Sequence, residues 1–483
     1  MVDSFYFYDL ETSGINSRTS RIMQFAGQRT DLDLNPIGES HNILVALSED
    51  VLPDPDAILI TGITPQHTQA EGTTEADFLQ TFEQEIAKPG TIFVGYNTVR
   101  FDDEFMRSTL YRNFYDPYQW QWKDGRSRWD LLDVVRMTRA LRPEGISWPV
   151  DSNGNPTNRL ELLTSLNGLD HANAHDALND VLATIALARL IRSKQPKLFD
   201  YLLSMRHKDA VKQLADQDKP FVYSSGKYPS EYQKTAVVIK LADNPKRGAL
   251  VYDLRYDPMQ FADMTAQELV EAWKWQKPED RDPAKPRLPI KTLQYNRCPA
   301  VAPMAVLDQD SQERLSIDMQ AIQQNITKLT YLTTWPEQVL EALDILDGQQ
   351  QQRFALEEKT VDGQVYDGFL NDADQRVCQK IRRARPEDLA TLIDECKDKR
   401  LKELLPLYKA RNFPRKLTTE EREAWEAHCA KQLLGGGANS RLARYFKRLE
   451  ELSVRPGLTQ NQQFLLEDLR LYGESIMPAE PLS

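Results

Sequence analysis

Cysteine is scarce: only Cys298, Cys378, Cys396 and Cys429 occur in 483 residues. None forms a CxxC pair and no histidine cluster lies beside them, which argues against a thiolate zinc site or a disulfide framework. Buried, reduced thiols are expected instead. Long apolar runs are missing as well. The most apolar long segment, Leu178 to Ile191, is interrupted by Asp180 and Arg189. It falls short of the roughly 18–20 uninterrupted apolar residues of a membrane span. The opening MVDSFYFYDLE has no basic stretch and meets acid at once, so no secretory leader is expected and the cytoplasm is the default compartment. Positive charge is in deficit too, with a formal net charge of -12. That argues against a protein coated in cations that grips polyanions everywhere. Local clusters remain. Eight basic residues face four acidic ones between Arg107 and Arg142, and twelve face six between Lys380 and Lys416.

What is present suits a globular chain: 41% apolar and 27% charged residues over a length that implies about three domains. The first 195 residues read as α/β. Strands are expected at Phe5–Leu10, Arg21–Thr30, Ile43–Ala46 and Thr91–Tyr96, and helices at about 102–113, 129–141, 159–166 and 176–193. This is the pattern of a mixed sheet flanked by helices. A second region, 197–350, has strand-like runs at Gly248–Leu254 and Lys291–Val301, a proline- and charge-rich loop within 276–304, and a long polar helix across 310–330. The glutamine run at 349–352, beside Asp347 and Gly348, reads as a linker. From about 353 to 475 the pattern is helical.

Three acidic elements carry the chemistry. The first strand ends in Asp9-Leu10-Glu11, and alternation puts both carboxylates on one face. Two like charges so close raise each other's pKa unless a cation neutralises them, and oxygen-only ligands favour Mg²⁺ or Mn²⁺. A plain strand end with a turn would show the same residues. The second element, Asn97 to Phe105, runs from a buried strand into a helix whose first turn holds Asp102, Asp103 and Glu104, where the helix dipole also favours acids. The third, Ala174-His175-Asp176-Ala177-Leu178-Asn179-Asp180, opens the most apolar helix. Leu178, Val181, Leu182, Ile185 and Ala188 are expected on its buried face, with Asp180 pointing away.

In order, DxE, NxxxFD and HxxxxD within about 190 residues resemble the DEDDh exonuclease superfamily. LITGITPQ (59–66), GYNTVRFDDEF (95–105), YRNFYDPY (111–118), SRWDLLDVVR (127–136), PIKTLQYNRCP (289–299), DGFLNDADQ (367–375) and YKARNFP (408–414) are similar to the bacterial exonuclease I family. That resemblance implies an RNase H-like α/β nuclease domain at 1–195, an SH3-like β-rich domain at 197–350 and an all-helical C-terminal domain at 353–480. It implies processive 3′→5′ hydrolysis of single-stranded DNA to 5′-mononucleotides, in DNA repair and recombination. Asp9, Glu11, Asp102 and Asp180 would hold two Mg²⁺ ions, Mn²⁺ being a possible substitute, and His175 would take the proton of the attacking water.

Cations interleave with flat aromatics from Arg107 to Trp129, as single-strand binding requires. Arg107, Tyr118, Trp122 and Arg136 are the expected DNA contacts, with Arg159 and Glu11 near the scissile nucleotide. Tyr201 and Lys208 complete the substrate-binding set. Tyr111 and Trp129 are expected in the core. The Lys380–Lys416 window reads equally as a second groove wall or a solvated helix face. The resemblance further implies recruitment by single-stranded DNA-binding protein through its acidic C-terminal tail, with Arg142 and Tyr201 as contributors. A monomer is the default. Two alternatives stay open: a DEDDh ribonuclease or proofreading exonuclease, and a non-enzymatic single-strand-binding scaffold.

Overall fold

The computed structural model describes residues 3–169, 176–274, 282, 285–356 and 360–478. It divides into two compact units. One comprises Met1–Ser127, His171–Leu182 and Lys359–Ser483; the other comprises Arg128–Asp170 and Ala183–Glu358.

In the first unit, strands β1 (Ser4–Thr12), β2 (Ile22–Thr30), β3 (His41–Leu44) and β4 (Thr91–Gly95) lie in the order β3-β2-β1-β4. The pairs β1-β2 and β2-β3 are antiparallel, and β1-β4 is parallel, with Phe7 opposite Val94. β1 is central and buried along most of its length, which its aromatic run SFYFY supports. Tyr6, Tyr8, Phe25, Phe78, Phe82, Phe93 and Trp120 form one aromatic core over the sheet. Between β3 and β4 lie short helices Pro55–Thr61, Pro65–Glu71 and Glu75–Thr81, which the sequence reading did not anticipate. Their signals are local: Asp54, Thr64 and Thr74 cap them, and proline opens the first two.

The C-terminal part of this unit is helical, with Asp372–Arg383, Lys399–Asn412, Thr419–Leu434, Arg441–Ser453 and Gln460–Ser475 as its main helices. It shares cores with the sheet region. Met23 and Ile58 pack with Leu449, Leu452 and Leu469, and Tyr111 and Phe114 pack with Leu401, Leu404 and Tyr408. A buried ion cluster joins the same two parts. Arg21 donates to Asp362 at 2.8 Å, and Arg411 reaches Asp50 at 2.6 Å and Asp362 at 2.7 Å. Burial alone would push the Asp362 carboxyl up, but the Arg411 and Arg21 guanidiniums outweigh it and hold it at about 2. They hold Asp50 well below the usual carboxylate range against the same penalty.

β5 (Ser127–Asp130), whose first residue belongs to the first unit, leads into helix Leu131–Leu141 of the second, capped by the Asp130 side chain. Residues 129–130, expected in the helix, are therefore strand. An antiparallel sheet follows, built from β6 (Phe221–Ser224), β7 (Thr235–Asn244), β8 (Gly248–Asp253), β9 (Ile290–Leu293) and β10 (Ala300–Pro303), in the order β10-β6-β7-β8-β9. Lys291–Val301, expected as one strand, is thus two strands at opposite edges. The expected polar helix across 310–330 is two, Gln309–Arg314 and Met319–Tyr331. Between them Ser316 takes a left-handed φ of 49° and Asp318 caps the restart. The glutamine run is no linker. It lies inside helix Trp335–Leu356, consistent with glutamine being a good helix former.

Helix Ala177–Lys194 begins in the first unit and ends in the second. Val181, Ile185 and Ala188 are buried as expected, but Leu182 is 46% exposed, and Ala183 and Leu187 are buried in its stead. Arg189 is exposed. All four cysteines are buried and free, and no described helix is long and apolar enough to cross a membrane.

Candidate active site

The site is built on the end of β1. Asp9 faces Ala26 and Glu11 faces Gln24 across the ladder, and a register shift after Glu11 ends regular pairing. Both carboxylates project from the part of the strand that runs past the β4 pairing, which ends at Phe7, and is held in the sheet by β2 alone.

β4 ends beside it. A Cβ on Gly95 would lie 2.0 Å from Thr98 Cγ2 and 2.9 Å from the Tyr8 carbonyl oxygen, so only glycine permits this approach. Asn97 then adopts a left-handed φ of 72°, and helix Asp102–Arg112 starts after Phe101. Its first two residues bond back to β1. The Leu10 N–H, between the two acids, donates to Asp102 Oδ1 at 3.1 Å, and the Tyr8 hydroxyl donates to Asp103 Oδ1 at 2.6 Å.

The fourth acid comes from helix Ala177–Lys194. Asp176 caps this helix, accepting from the N–H groups of Leu178 and Asn179 at 3.0 and 3.3 Å. Asp180 follows one turn later. Its carboxylate and those of Asp9 and Glu11 each offer an oxygen within 4.8 Å of the other two.

The neighbouring charges that act most strongly on Asp9 and Glu11 are all carboxylates. Burial pushes the Asp9 carboxyl well above its usual value, with Asp102, Glu11 and Asp180 adding to the shift. Burial, then Asp180, Asp102 and Asp176, push Glu11 up to about 8. Carboxylates gathered at this cost, with hard oxygen donors, fit a divalent cation.

The structure brings Asp9, Glu11 and Asp180 within 4.8 Å of one another; Asp102 stands outside that group, held on the Leu10 N–H, yet near enough to raise the Asp9 and Glu11 carboxyls. His175 lies outside the described residues. Among the expected DNA contacts in this unit, Trp122 is 63% exposed, while Arg107 is buried, paired with Glu104 at 2.7 Å and Gln121 at 3.0 Å. Its guanidinium lies 5.8 Å from the Tyr118 ring, so Arg107 props that ring. Tyr118 is flanked by Tyr366 and by Phe369, at centroid distances of 6.5 and 5.8 Å, and Phe369 is 88% exposed. These two aromatics and Asp176 were not singled out from sequence. The signal for the pair was two aromatics around Gly368 in a polar stretch; the signal for Asp176 was its place at a helix start.

The other expected contacts belong to the second unit. Arg136 pairs with Asp133 on its own helix and fills the space above Gly226, where a Cβ would meet it at 2.8 Å. Arg159 is an exposed side chain paired with Glu161. Lys208 is exposed at the start of helix Lys208–Ala215. Tyr201 is half-buried against the sheet core, and burial pushes its hydroxyl up to about 12. Arg142 pairs with Asp308 at 2.9 Å. Tyr111 and Trp129 are core residues, 5% and 2% exposed. Much of the Lys380–Lys416 window is spent internally: Arg382 pairs with Glu83, Arg400 with Asp398, Lys409 with Glu421 and Arg411 with the buried acids.

Three family models match the chain. They describe an exonuclease over residues 6–188, an exonuclease I SH3-like domain over 206–344 and an exonuclease I C-terminal domain over 359–476. Exodeoxyribonuclease I of Escherichia coli is 40% identical over 429 residues, 88% of this chain and 89% of that protein. The exonuclease I structure from Methylocaldum szegediense is 42% identical, with a TM-score of 0.91 over 98% of this chain and 100% of that one. The zinc-bound form of an E. coli exonuclease I–single-stranded DNA complex is 37% identical, with a TM-score of 0.90 over 99% and 100%. A further structure, 36% identical with a TM-score of 0.87 over 99% and 100%, is of SSB and exonuclease I with an inhibitor. Matching along nearly its whole length at this identity, the chain belongs to the exonuclease I family of exodeoxyribonucleases.

Proposed function

We propose that this protein hydrolyses single-stranded DNA processively from the 3′ end and releases 5′-mononucleotides, acting in the cytoplasm in DNA repair and recombination. The observation that carries this is the meeting of Asp9, Glu11 and Asp180 oxygens within 4.8 Å, in a chain of this family.

Asp9, Glu11, Asp102 and Asp180 would hold two Mg²⁺ ions, with Mn²⁺ as a substitute. Bound there, divalent ions supply Lewis acidity toward the phosphate and a more acidic water. The chain's own contribution is placement. β1 fixes Asp9 and Glu11, the Leu10 N–H orients Asp102, and the Asp176-capped helix presents Asp180. His175 takes the proton of the attacking water, a role resting on the sequence pattern HxxxxD. Water adds at phosphorus and the bond to the penultimate 3′ oxygen breaks, so the phosphate leaves on the 5′ carbon of the released nucleotide.

Tyr118, Trp122, Tyr366 and Phe369 offer sequence-tolerant stacking surfaces for bases. Arg136, Arg159 and Lys208 are the proposed phosphate contacts. Arg142 and Tyr201 would receive the acidic tail of single-stranded DNA-binding protein; the similar SSB and exonuclease I structure supports SSB as the partner. The proposed working form is a monomer.

The test is a time course on 5′-labelled single-stranded DNA with Mg²⁺, beside duplex DNA, single-stranded RNA and an EDTA control. Shortening from the 3′ end, confined to single-stranded DNA and stopped by EDTA, is expected. Degradation of RNA alone, or tight binding without cleavage, would overturn the proposal.

A further inference from the structure

Glu11 is followed by a loop, residues 13–21, that is pinned both by its own hydrogen bonds and by contacts to distant segments. Ser13 donates its N–H to the Arg21 carbonyl at 2.9 Å, the Arg21 N–H donates to Ser13 Oγ at 2.9 Å, and the Asp54 N–H donates to the Ser13 carbonyl at 2.7 Å. The loop therefore closes on Arg21, whose 4% exposure leaves its guanidinium almost no water. Its main partner is Asp362, 341 positions away in sequence. Arg411 binds Asp362 as well, and ties it to Asp50.

The segment carrying Asp362 grips the second acidic element too. The Tyr111 hydroxyl, on helix Asp102–Arg112, donates to the Val361 carbonyl at 3.2 Å. The Tyr366 hydroxyl donates to Glu104, two residues after Asp102. Residues 361–366 thus contact both the loop leaving Glu11 and the helix that begins at Asp102.

We infer that Asp362 is a positioning residue for hydrolysis: through Arg21 and the shared 361–366 segment, the C-terminal region sets the spacing of Glu11 and Asp102. This rests on the nuclease reading above. It assigns the C-terminal region a part in the chemistry itself, beyond any part in holding the strand. A buried carboxylate shared by two arginines is a stiff joint, because neither cation can leave it without stranding a charge. A shift of about 1 Å in a catalytic group can cost on the order of 100-fold in rate.

The experiment compares the full-length protein with Asp362→Asn and Arg411→Lys, the second keeping the charge while losing the two-acid fork. Variants are used below their melting temperature, with circular dichroism confirming the fold. Three quantities are read: single-turnover cleavage at saturating enzyme, Mn²⁺ affinity by calorimetry without DNA, and affinity for a single-stranded oligonucleotide. Expected are a rate at least about tenfold lower, weaker Mn²⁺ binding, and DNA affinity within about threefold of the unaltered protein. A folded variant with unaltered rate and Mn²⁺ affinity would overturn the inference, as would a rate loss explained wholly by lost DNA affinity. If the unaltered protein cleaves nothing, the nuclease reading fails, and the Mn²⁺ comparison still judges the linkage.

Discussion

The Tyr8 hydroxyl donates to Asp103 across 2.6 Å, and each partner is the immediate neighbour of a proposed metal-holding acid, Asp9 and Asp102. One hydrogen bond therefore ties the two backbones that must hold their carboxylates at a fixed separation. Tyr8→Phe removes the donor and leaves a buried carboxylate with one contact fewer. A stability loss of about 1–3 kcal/mol is expected, with a fall in turnover at fixed metal concentration that excess Mn²⁺ partly restores. Urea denaturation and a metal titration of the rate check both parts.

Asp9→Ala and Asp180→Ala should abolish cleavage and leave oligonucleotide binding largely intact, because stacking and phosphate contacts lie elsewhere. Gel-shift binding beside a cleavage time course separates the two. Retained turnover would mean that these acids hold no catalytic metal.

Metal binding should tighten with pH. Burial, with Asp180, Asp102 and Asp176, pushes the Glu11 carboxyl up to about 8, so below that pH a proton must leave before the metal enters. Mn²⁺ affinity should fall as pH drops from 8 to 6, with proton release visible in calorimetry as a dependence on buffer ionisation enthalpy. A raised carboxyl stabilises the metal-free fold at low pH, and that contribution is lost as pH rises through about 8. The rise in Tm on adding metal should therefore grow with pH. A pH-independent affinity would show that the acids are ionised without metal.

Acid should unfold the first unit through its ion cluster. Burial opposes ionisation of Asp362, but Arg411 and Arg21 hold it at about 2, and Asp50 is held low as well. Depressed carboxyls stabilise the fold fully above their unfolded value, near 4, and the contribution is lost as pH falls toward 2. Midpoints of urea denaturation between pH 5 and 2.5 should fall more steeply for the unaltered protein than for Asp362→Asn.

Trp122→Ala and Phe369→Ala should each weaken oligonucleotide binding by about 1–3 kcal/mol, with little dependence on base sequence. Fluorescence titrations on homopolymers check this. An effect on stability alone would place the rings in a structural role.

The sheet and the acids were legible in sequence because they depend on short-range patterns: an apolar strand ending in DxE, a strand-to-helix turn into Asp102, and an apolar helix opening at Asp180. Leu182 was misplaced because a helix shared by two units buries more than one stripe. The strands at 290–293 and 300–303 read as one run because the turn between them carries no glycine: its left-handed position is taken by Cys298, at a φ of 46°, and its one proline, Pro299, sits at the far end against the second strand. Arg107 looked like a phosphate ligand, and its buried pairing with Gln121 could not be read from spacing. The ties from Asp362 to Arg21 and from Tyr366 to Glu104 join residues more than 250 positions apart, and no local pattern encodes them.

Met23 and Leu469 share one core, and that pairing bears on how the molecule is completed during synthesis. The acids of β1 leave the ribosome early, but the side chains that close the core beneath their sheet leave near the end. A fragment halted before the last helices would carry Asp9, Glu11, Asp102 and Asp180 on a sheet that keeps its aromatic core but leaves Met23 and Ile58 uncovered. The last helices thus complete a core that the first strands begin, and a chain lacking them exposes apolar side chains that the finished protein hides.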